Sequence, residues 1–334
     1  GLRVINKKDS KVIFESKSGG LNFYPEKIKN IYLIESDKNI LYVNKTGYRG
    51  KIELHNLLGK IYIINIINIE EYLYSVVPSE MPSSWNIEAL KAQAVAARTY
   101  SYYHLLKNNS KNIFDLDSTT NFQVYKGIAS ETPSSIEAVT KTSGQIMIYN
   151  YEPIIAYFHS TSGGKTADDK DVWSGTDLPY LESVECKYGE DSPHNEWTTE
   201  LTIKEISNAL SKRYKRIGKI QKISFKKNND RVIEVVIIHS SGTIQLSGND
   251  FRMLFPSQKL KSTYFTAKRN SNSLIISGRG WGHGVGMSQW GAKGRGENGI
   301  GYEKILSYYY KDIKFQKIGN NYLAQKKGSI HLVN

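Results

Sequence analysis

One carboxylate in this chain has neighbours that suit proton transfer. Glu80 lies in the run Val76-Val77-Pro78-Ser79-Glu80-Met81-Pro82. Each proline holds its own φ at about −65° and restricts the residue before it, here Val77 and Met81. Apolar neighbours predict partial desolvation, which raises a carboxyl pKa and keeps a proton on it near neutral pH. That is the requirement for a general acid, although a glutamate here could equally cap a helix or sit on a solvated turn. Beyond it, Lys91, Val95, Arg98 and Tyr102 recur at i, i+4, i+7 and i+11 and share one helix face. Such a face could hold a carboxylate-bearing sugar or be a solvated stripe.

Two further runs are rich in groups that can bind. Tyr157-Phe158-His159-Ser160-Thr161-Ser162-Gly163-Gly164-Lys165-Thr166 ends like a phosphate loop, but the first glycine of that motif would fall on His159. No Gly-x-Ser-x-Gly elbow surrounds Ser160 or Ser162, which argues against a serine hydrolase. A strand ending in His159, Ser160 and Ser162 before two glycines reads as a polar loop at the mouth of a cleft, or as an ordinary turn. The other run extends from Gly278 to Ala292 and alternates glycine with Arg279, Trp281, His283 and Val285. Alternate glycines let a backbone approach a ligand or another chain closely, and no dinucleotide fingerprint occurs in any register. His283, Ser288 and Gln289 are candidate binding groups, the last two near a helix start, and Trp281 and Trp290 suit a carbohydrate platform. Cys186, Asp191 and His194 supply too few ligands for a zinc site.

These residues need elements to hold them. Asn68 with Glu71 has the form of a capping box and predicts a short helix ending before Pro78. The longest helical pattern covers 86–107, alanine-rich and free of Gly and Pro. Others cover 134–142, 203–213 (with Thr202 and Glu205 as a capping pair) and 302–310. Strand signals fall at 11–15, 31–34, 40–43, 51–54, 61–66, 145–149, 154–159, 219–225, 232–239, 243–246 and 274–277. Hairpin-spaced strands with scattered helices read as α+β, with mostly antiparallel strands around a central long helix, not as alternating βαβ units. Four segments follow: a β-rich part (1–66), a core with the long helix (67–200), a basic lobe (201–272) and a C-terminal return to the core (273–334). The tail from Lys326 to Asn334 is expected to be partly without order.

At 334 residues, with a net charge of +13, the chain can bury a sizeable core and is drawn to polyanions. An anionic wall polymer satisfies that charge as well as nucleic acid does. No zinc-finger or RNP-type motif supports nucleic acid, and the basic run from Lys212 to Lys227 reads as a solvated lobe surface. The 23 tyrosines suit sugar stacking as well as packing. A single cysteine makes no internal disulfide and leaves the redox compartment open. No apolar run reaches the roughly 20 residues of a membrane-spanning helix. The opening residues read as neither signal peptide nor anchor, which leaves a cytosolic protein or an N-terminal segment outside the sequence.

Four ordered motifs, VVPSEMPSSWNIEALKAQAVAARTYSYY, STTNFQVYKG, YFHSTSGGKT with DLPYL, and GRGWGHGVGMSQWGA, closely resemble the stage II sporulation protein D family, from about Tyr48 to Tyr310. The resemblance implies a lytic transglycosylase that cuts peptidoglycan glycan strands between N-acetylmuramic acid and N-acetylglucosamine during forespore engulfment. It implies an amidase that first strips the stem peptides, a membrane scaffold protein as a further partner, and an N-terminal membrane anchor that places the chain outside the cytoplasm. It implies Glu80 as the catalytic acid and Lys91, Gln93, Arg98 and Tyr102 as binding residues on the helix. His159, Ser160, Ser162, His283, Ser288 and Gln289 are inferred to line the same cleft. Some members carry metal-binding Cys or His around the segment Leu116-Asp117-Ser118-Thr119-Thr120-Asn121-Phe122; none occurs there in this chain, so neither metal nor other cofactor is expected. Two alternatives stay open: a non-catalytic activator of a wall amidase, which the same domain family includes, and a basic nucleic-acid binder.

Overall fold

The computed structural model describes residues 2–16, 31–108, 112–120, 122–173, 175, 177–318 and 329–333. The fold is α+β. The chain divides into two compact units, 1–155 with 314–334, and 156–313. Segment 1–66 lies wholly in the first and 201–272 wholly in the second, while 67–200 and 273–334 contribute to both. Among the described residues no helix is long and apolar enough to cross a membrane.

The first unit opens with β1 (Leu2–Asn6), β2 (Lys11–Ser16), β3 (Tyr32–Ser36), β4 (Ile40–Val43), β5 (Thr46–Arg49), β6 (Lys51–Leu57) and β7 (Lys60–Asn68). It continues through α1 (Ile69–Glu80), α2 (Ile87–Lys107), β8 (Leu116–Asp117), α3 (Pro133–Lys141), β9 (Gln145–Tyr149) and β10 (Glu152–Pro153). Two later strands, β19 (Lys314–Lys317) and β20 (Ser329–Val333), return to it. A seven-stranded sheet runs β2-β1-β3-β6-β7-β20-β8, and β10-β9-β19 form a second. The tail carries β20, where Ser329–Val333 pair antiparallel with β7 and parallel with β8; Lys326 to Gly328 and Asn334 lie outside the described residues, so the expectation for them is not tested.

α2 is the centre of this unit. It is enclosed on every side, with Ala89, Leu90 and all residues from Ala92 to Tyr102 buried, the mark of a helix packed all round. It packs on α1, α3 and β9. α1 instead buries a single stripe, Ile69, Tyr72, Leu73, Val76 and Val77, at helical spacing.

α1 differs from expectation in two ways. It does not stop before Pro78 but carries it inside and ends at Glu80. Pro78 has no N–H for the carbonyl of Tyr74; that oxygen lies instead 3.0 Å from the Ser135 hydroxyl. Buried Val76 and Val77 supply the packing that holds the last turn. No capping box forms with Glu71, since the Asn68 side chain accepts from the N–H of Glu70 and Glu71 bonds Asn39.

The second unit comprises β11 (Phe158–His159), α4 (Asp169–Val172), β12 (Glu196–Thr202), α5 (Ile203–Ser211), β13 (Ile220–Asn228), β14 (Arg231–His239) and β15 (Gly242–Ser247). α6 (Gly248–Met253), β16 (Phe265–Asn270), β17 (Ser273–Arg279), β18 (Met287–Ser288), α7 (Gln289–Glu297) and α8 (Tyr302–Tyr309) complete it. Sheets β12-β17-β16 and β13-β14-β15 enclose one core with α5 and α6 that includes Trp197, Leu201, Ile206, Phe251, Phe265 and Ile276. The expected strand over 154–159 is reduced to Phe158–His159.

Candidate active site

Glu80 sits where the pattern of α1 must put it. It falls seven residues after Leu73 and four after Val76, on the continuation of the buried stripe, so the last turn turns its carboxylate towards the core edge. The residue is half-buried. Met81 then takes an extended C-cap conformation (φ −130°, ψ 139°), the geometry demanded by the following Pro82. Glu80 Oε1 accepts the backbone N–H of Val124 at 3.0 Å. That hydrogen bond favours the anion, whereas the partial negative charge of the helix C-terminus opposes it.

The loop that supplies this N–H is itself clamped. Gln123, fully buried, accepts from the Tyr72 hydroxyl of α1 (3.1 Å) and the Ser101 hydroxyl of α2 (2.9 Å), and donates to the Ala97 carbonyl at 3.3 Å. Burial, reinforced by the charge of Glu80, pushes the Tyr72 phenol well above its ordinary pKa, so it stays a donor. Gln123, Tyr72 and Ser101 were not singled out by sequence reasoning. The available signal was an amide set among Phe122, Val124 and Tyr125, which reads as a buried and bonded polar group.

Arg98 corrects the sequence reading. It was expected to meet substrate, yet its side chain is fully buried and forms a two-pronged ion pair with Glu70, Nε to Oε1 at 2.8 Å and Nη2 to Oε2 at 2.7 Å. Its other N–H groups reach the carbonyls of Val139 and Gln145 and the Thr142 hydroxyl. No donor edge is left to orient a ligand. The face of Val95, Arg98 and Tyr102 is buried, hence neither a solvated stripe nor an exposed binding surface. Gln93 is also fully buried, and Tyr102 lines a cavity of about 230 Å³ against β9 and β10. Lys91 keeps partial exposure and pairs with Glu88 at 2.6 Å.

The second unit brings the other two motifs together. β11 and β18 pair in parallel, Phe158 with Met287 and His159 with Ser288, and Thr161 bridges Trp281. Two glycines make the close approach possible. A Cβ on Gly286 (φ +69°) would lie 2.0 Å from the Tyr157 carbonyl, and one on Gly284 (φ +90°) would lie 2.8 Å from the Arg231 guanidinium. Arg231, itself buried, donates to the Ser162 and Lys165 carbonyls, both at 2.8 Å, and fixes that loop.

His159 is buried with Nδ1 3.0 Å from the Val285 carbonyl, and half-buried His283 accepts the Val285 N–H on Nδ1 at 3.1 Å. The two rings stand 5.7 Å apart, with Trp173 5.2 Å from His283. Desolvation, then Arg252, pushes His283 down to about 3; desolvation, then His283, drives His159 well below its ordinary value. Both rings are therefore neutral at physiological pH. Ser162 and Ser288, expected to line a cleft, are buried. Their hydroxyls accept the N–H groups of Gly164 (3.3 Å) and Gly291 (3.2 Å), closing a turn and capping α7. Ser160 is half-buried and Gln289 buried.

Neither tryptophan of this region is a bare platform, since His194 stands edge-on 4.2 Å from Trp281 and Lys293 lies over Trp290. Cys186 contacts the Tyr309 hydroxyl and His194 contacts Lys261, so the two have different partners. No cluster of metal-ligating side chains occurs among the described residues.

A family model described as "stage II sporulation protein" matches residues 58–149, and one described as a domain of unknown function matches 184–286. The chain is 35% identical over 277 residues to stage II sporulation protein D of Bacillus subtilis, covering 78% of each. It is 36% identical over 271 residues to an uncharacterized protein of Brachyspira hyodysenteriae, covering 81% of this chain and 73% of that one. Similarity to the amidase enhancer of Bacillus subtilis is 32% over 285 residues, 71% of this chain and 39% of the enhancer.

Proposed function

Because this chain belongs to the stage II sporulation protein D family, we propose that it is a lytic transglycosylase acting on peptide-stripped peptidoglycan glycan strands. Family membership supports a cell-wall role in sporulation; the cleavage chemistry rests on Glu80. The observation that carries it is a single half-buried carboxyl at the end of α1 with Oε1 held by the Val124 N–H. In the acid form the oxygen accepting that bond is the carbonyl oxygen, so the proton resides on Oε2.

From Oε2 the proton passes to the glycosidic oxygen that joins N-acetylmuramic acid to the next sugar. The C1–O bond breaks as an oxocarbenium-like centre develops. The carboxylate then takes the proton of the same muramic residue's C6 hydroxyl while O6 bonds to C1, closing a 1,6-anhydro ring and restoring the acid. An internal nucleophile makes a second carboxylate and a water unnecessary. With Arg98 committed to Glu70, the partly exposed Lys91 is the expected binding cation of α2 that can still meet the lactyl carboxylate exposed by peptide removal, by exchanging its pairing with Glu88. On this reading the chain acts outside the cytoplasm, at the engulfing membrane, downstream of an amidase. Mass spectrometry of peptide-free strands tests this. Glu80→Gln releases no anhydro-ended products while circular dichroism is unchanged; turnover at the normal rate refutes the assignment.

The likeness to an amidase enhancer favours a second reading, a wall-binding activator with no chemistry of its own. Under it the purified chain releases no sugar, and Glu80→Gln leaves stimulation of an amidase intact.

A further inference from the structure

A cavity of about 630 Å³ lies in the second unit on the outward face of the sheet β12-β17-β16, and of the motif residues only Gly278 and Arg279 line it. All its lining residues fall within 184–286, the span matched by the domain of unknown function. Period-2 alternation explains what faces it. Trp197, Gly278 and Phe265 occupy one row across the three strands and point inward to the core. The rows on either side therefore point out.

One outward row is Thr198, Ser277 and Thr266, in direct register and all exposed. The other is Glu196 paired with Arg279, continued by Tyr264, whose carbonyl accepts the Arg279 N–H. Lys227 and Asp230, from the β13–β14 hairpin, add a charged border. Arg279 lies 6.0 Å over the Tyr264 ring and only 3.8 Å from a Glu196 carboxylate that is itself largely exposed. Its Nε is screened from solvent and has no acceptor among the described residues.

The geometry points to a saccharide-binding groove that takes a β-linked amino-sugar strand carrying carboxylates, an assignment of strand type that rests on the function proposed above. Three hydroxyls spaced by the strand separation of roughly 4.8 Å offer a ladder of donors and acceptors to successive ring hydroxyls. Glu196 and Asp230 accept from sugar hydroxyl and acetamido N–H groups. Arg279, a half-exposed planar fork held only at 3.8 Å by Glu196, reads a lactyl carboxylate. The volume falls within the range of small-ligand sites.

The test uses the full chain in a Glu80→Gln background, so that strands are not consumed. Two probes are compared by calorimetry and pull-down: insoluble peptide-stripped peptidoglycan, and a soluble β-1,4-linked N-acetylglucosamine tetramer without carboxylates. Ser277→Tyr and Thr198→Tyr, both at exposed positions, fill the groove and weaken binding of both probes roughly tenfold or more, about 1.4 kcal/mol. Arg279→Gln weakens strand binding more than tetramer binding. Unchanged affinity in both tyrosine variants, or no binding of either probe by the parent, overturns the groove. Equal loss on the two probes in Arg279→Gln overturns its carboxylate role. Normal turnover by Glu80→Gln would instead remove the catalytic reading and leave the binding result standing.

Discussion

Arg98 shows what spacing can and cannot reveal about a residue. The interval from Lys91 through Val95 to Arg98 and Tyr102 correctly defines one face of α2, but a periodicity carries no depth. The partner that decides its role, Glu70, lies 28 positions away and on another helix. Arg98 is a buried strut, and this gives it a signature distinct from a ligand-binding arginine. Arg98→Met leaves the Glu70 carboxylate uncompensated and lowers stability by about 3–5 kcal/mol in urea unfolding. The double variant with Glu70→Leu regains most of that loss. An Arg98→Met protein of native stability with weakened glycan binding would contradict the strut. Glu80 was more legible, because its proline-bounded apolar context sets both its backbone and its half-buried position. The Val124 N–H and the Gln123 clamp were not, since contacts across a loop leave no pattern in the residues that make them.

At the scale of elements, strong local signals were reliable and compensated ones were not. The alanine-rich helix begins after Asn86 as expected, and the Thr202–Glu205 capping box forms. The end of α1 was misjudged because proline's local penalty is offset from outside, by a serine on α3. That offset is testable. Ser135→Ala strips a hydroxyl from both the Tyr74 carbonyl and the α3 capping box, and thermal denaturation should show a loss of about 1–3 kcal/mol. No loss would mean that α1 tolerates Pro78 without help. The start of α7 at Ser288 and Gln289 agrees with the sequence, but its length is not signalled, because it contains Gly291, Gly294 and Gly296, poor helix formers. A Cβ on Gly291 would lie 2.0 Å from the Tyr309 hydroxyl, so packing, not propensity, selects glycine there. β12 and β16 were missed as well; their outward rows are polar, and only pairing with β17 defines them.

For the whole molecule, the net charge of +13 is carried in part by an exposed row, Lys222 and Lys226 on β13, on a solvated strand face. The fold class could be read from the mixture of hairpin-spaced strands and isolated helices. The division at 155/156 and 313/314 could not, because the return of β19 to β9 depends on pairing across about half the chain. Stability should also carry a pH signature from the second unit. His159 and His283 remain neutral in the fold below the ordinary histidine value of 6.5. As pH falls through 6.5 the unfolded chain binds protons that the folded one refuses, so stability declines with acidity by up to about 1.4 kcal/mol per pH unit for each ring. Melting temperatures from pH 7 to 4.5 should show this, with a smaller slope in His283→Gln; an identical slope would mean that His283 is not held neutral.

The most direct measurement follows oxygen during cleavage. Peptide-stripped strands are cut in heavy-oxygen water and the new muramic ends are weighed. If Glu80 gives and then recovers the proton of an internal ring closure, every new end is a 1,6-anhydro sugar without label, and Glu80→Gln forms none. Reducing ends carrying solvent oxygen, or unlabelled anhydro ends formed as fast by Glu80→Gln, would contradict it.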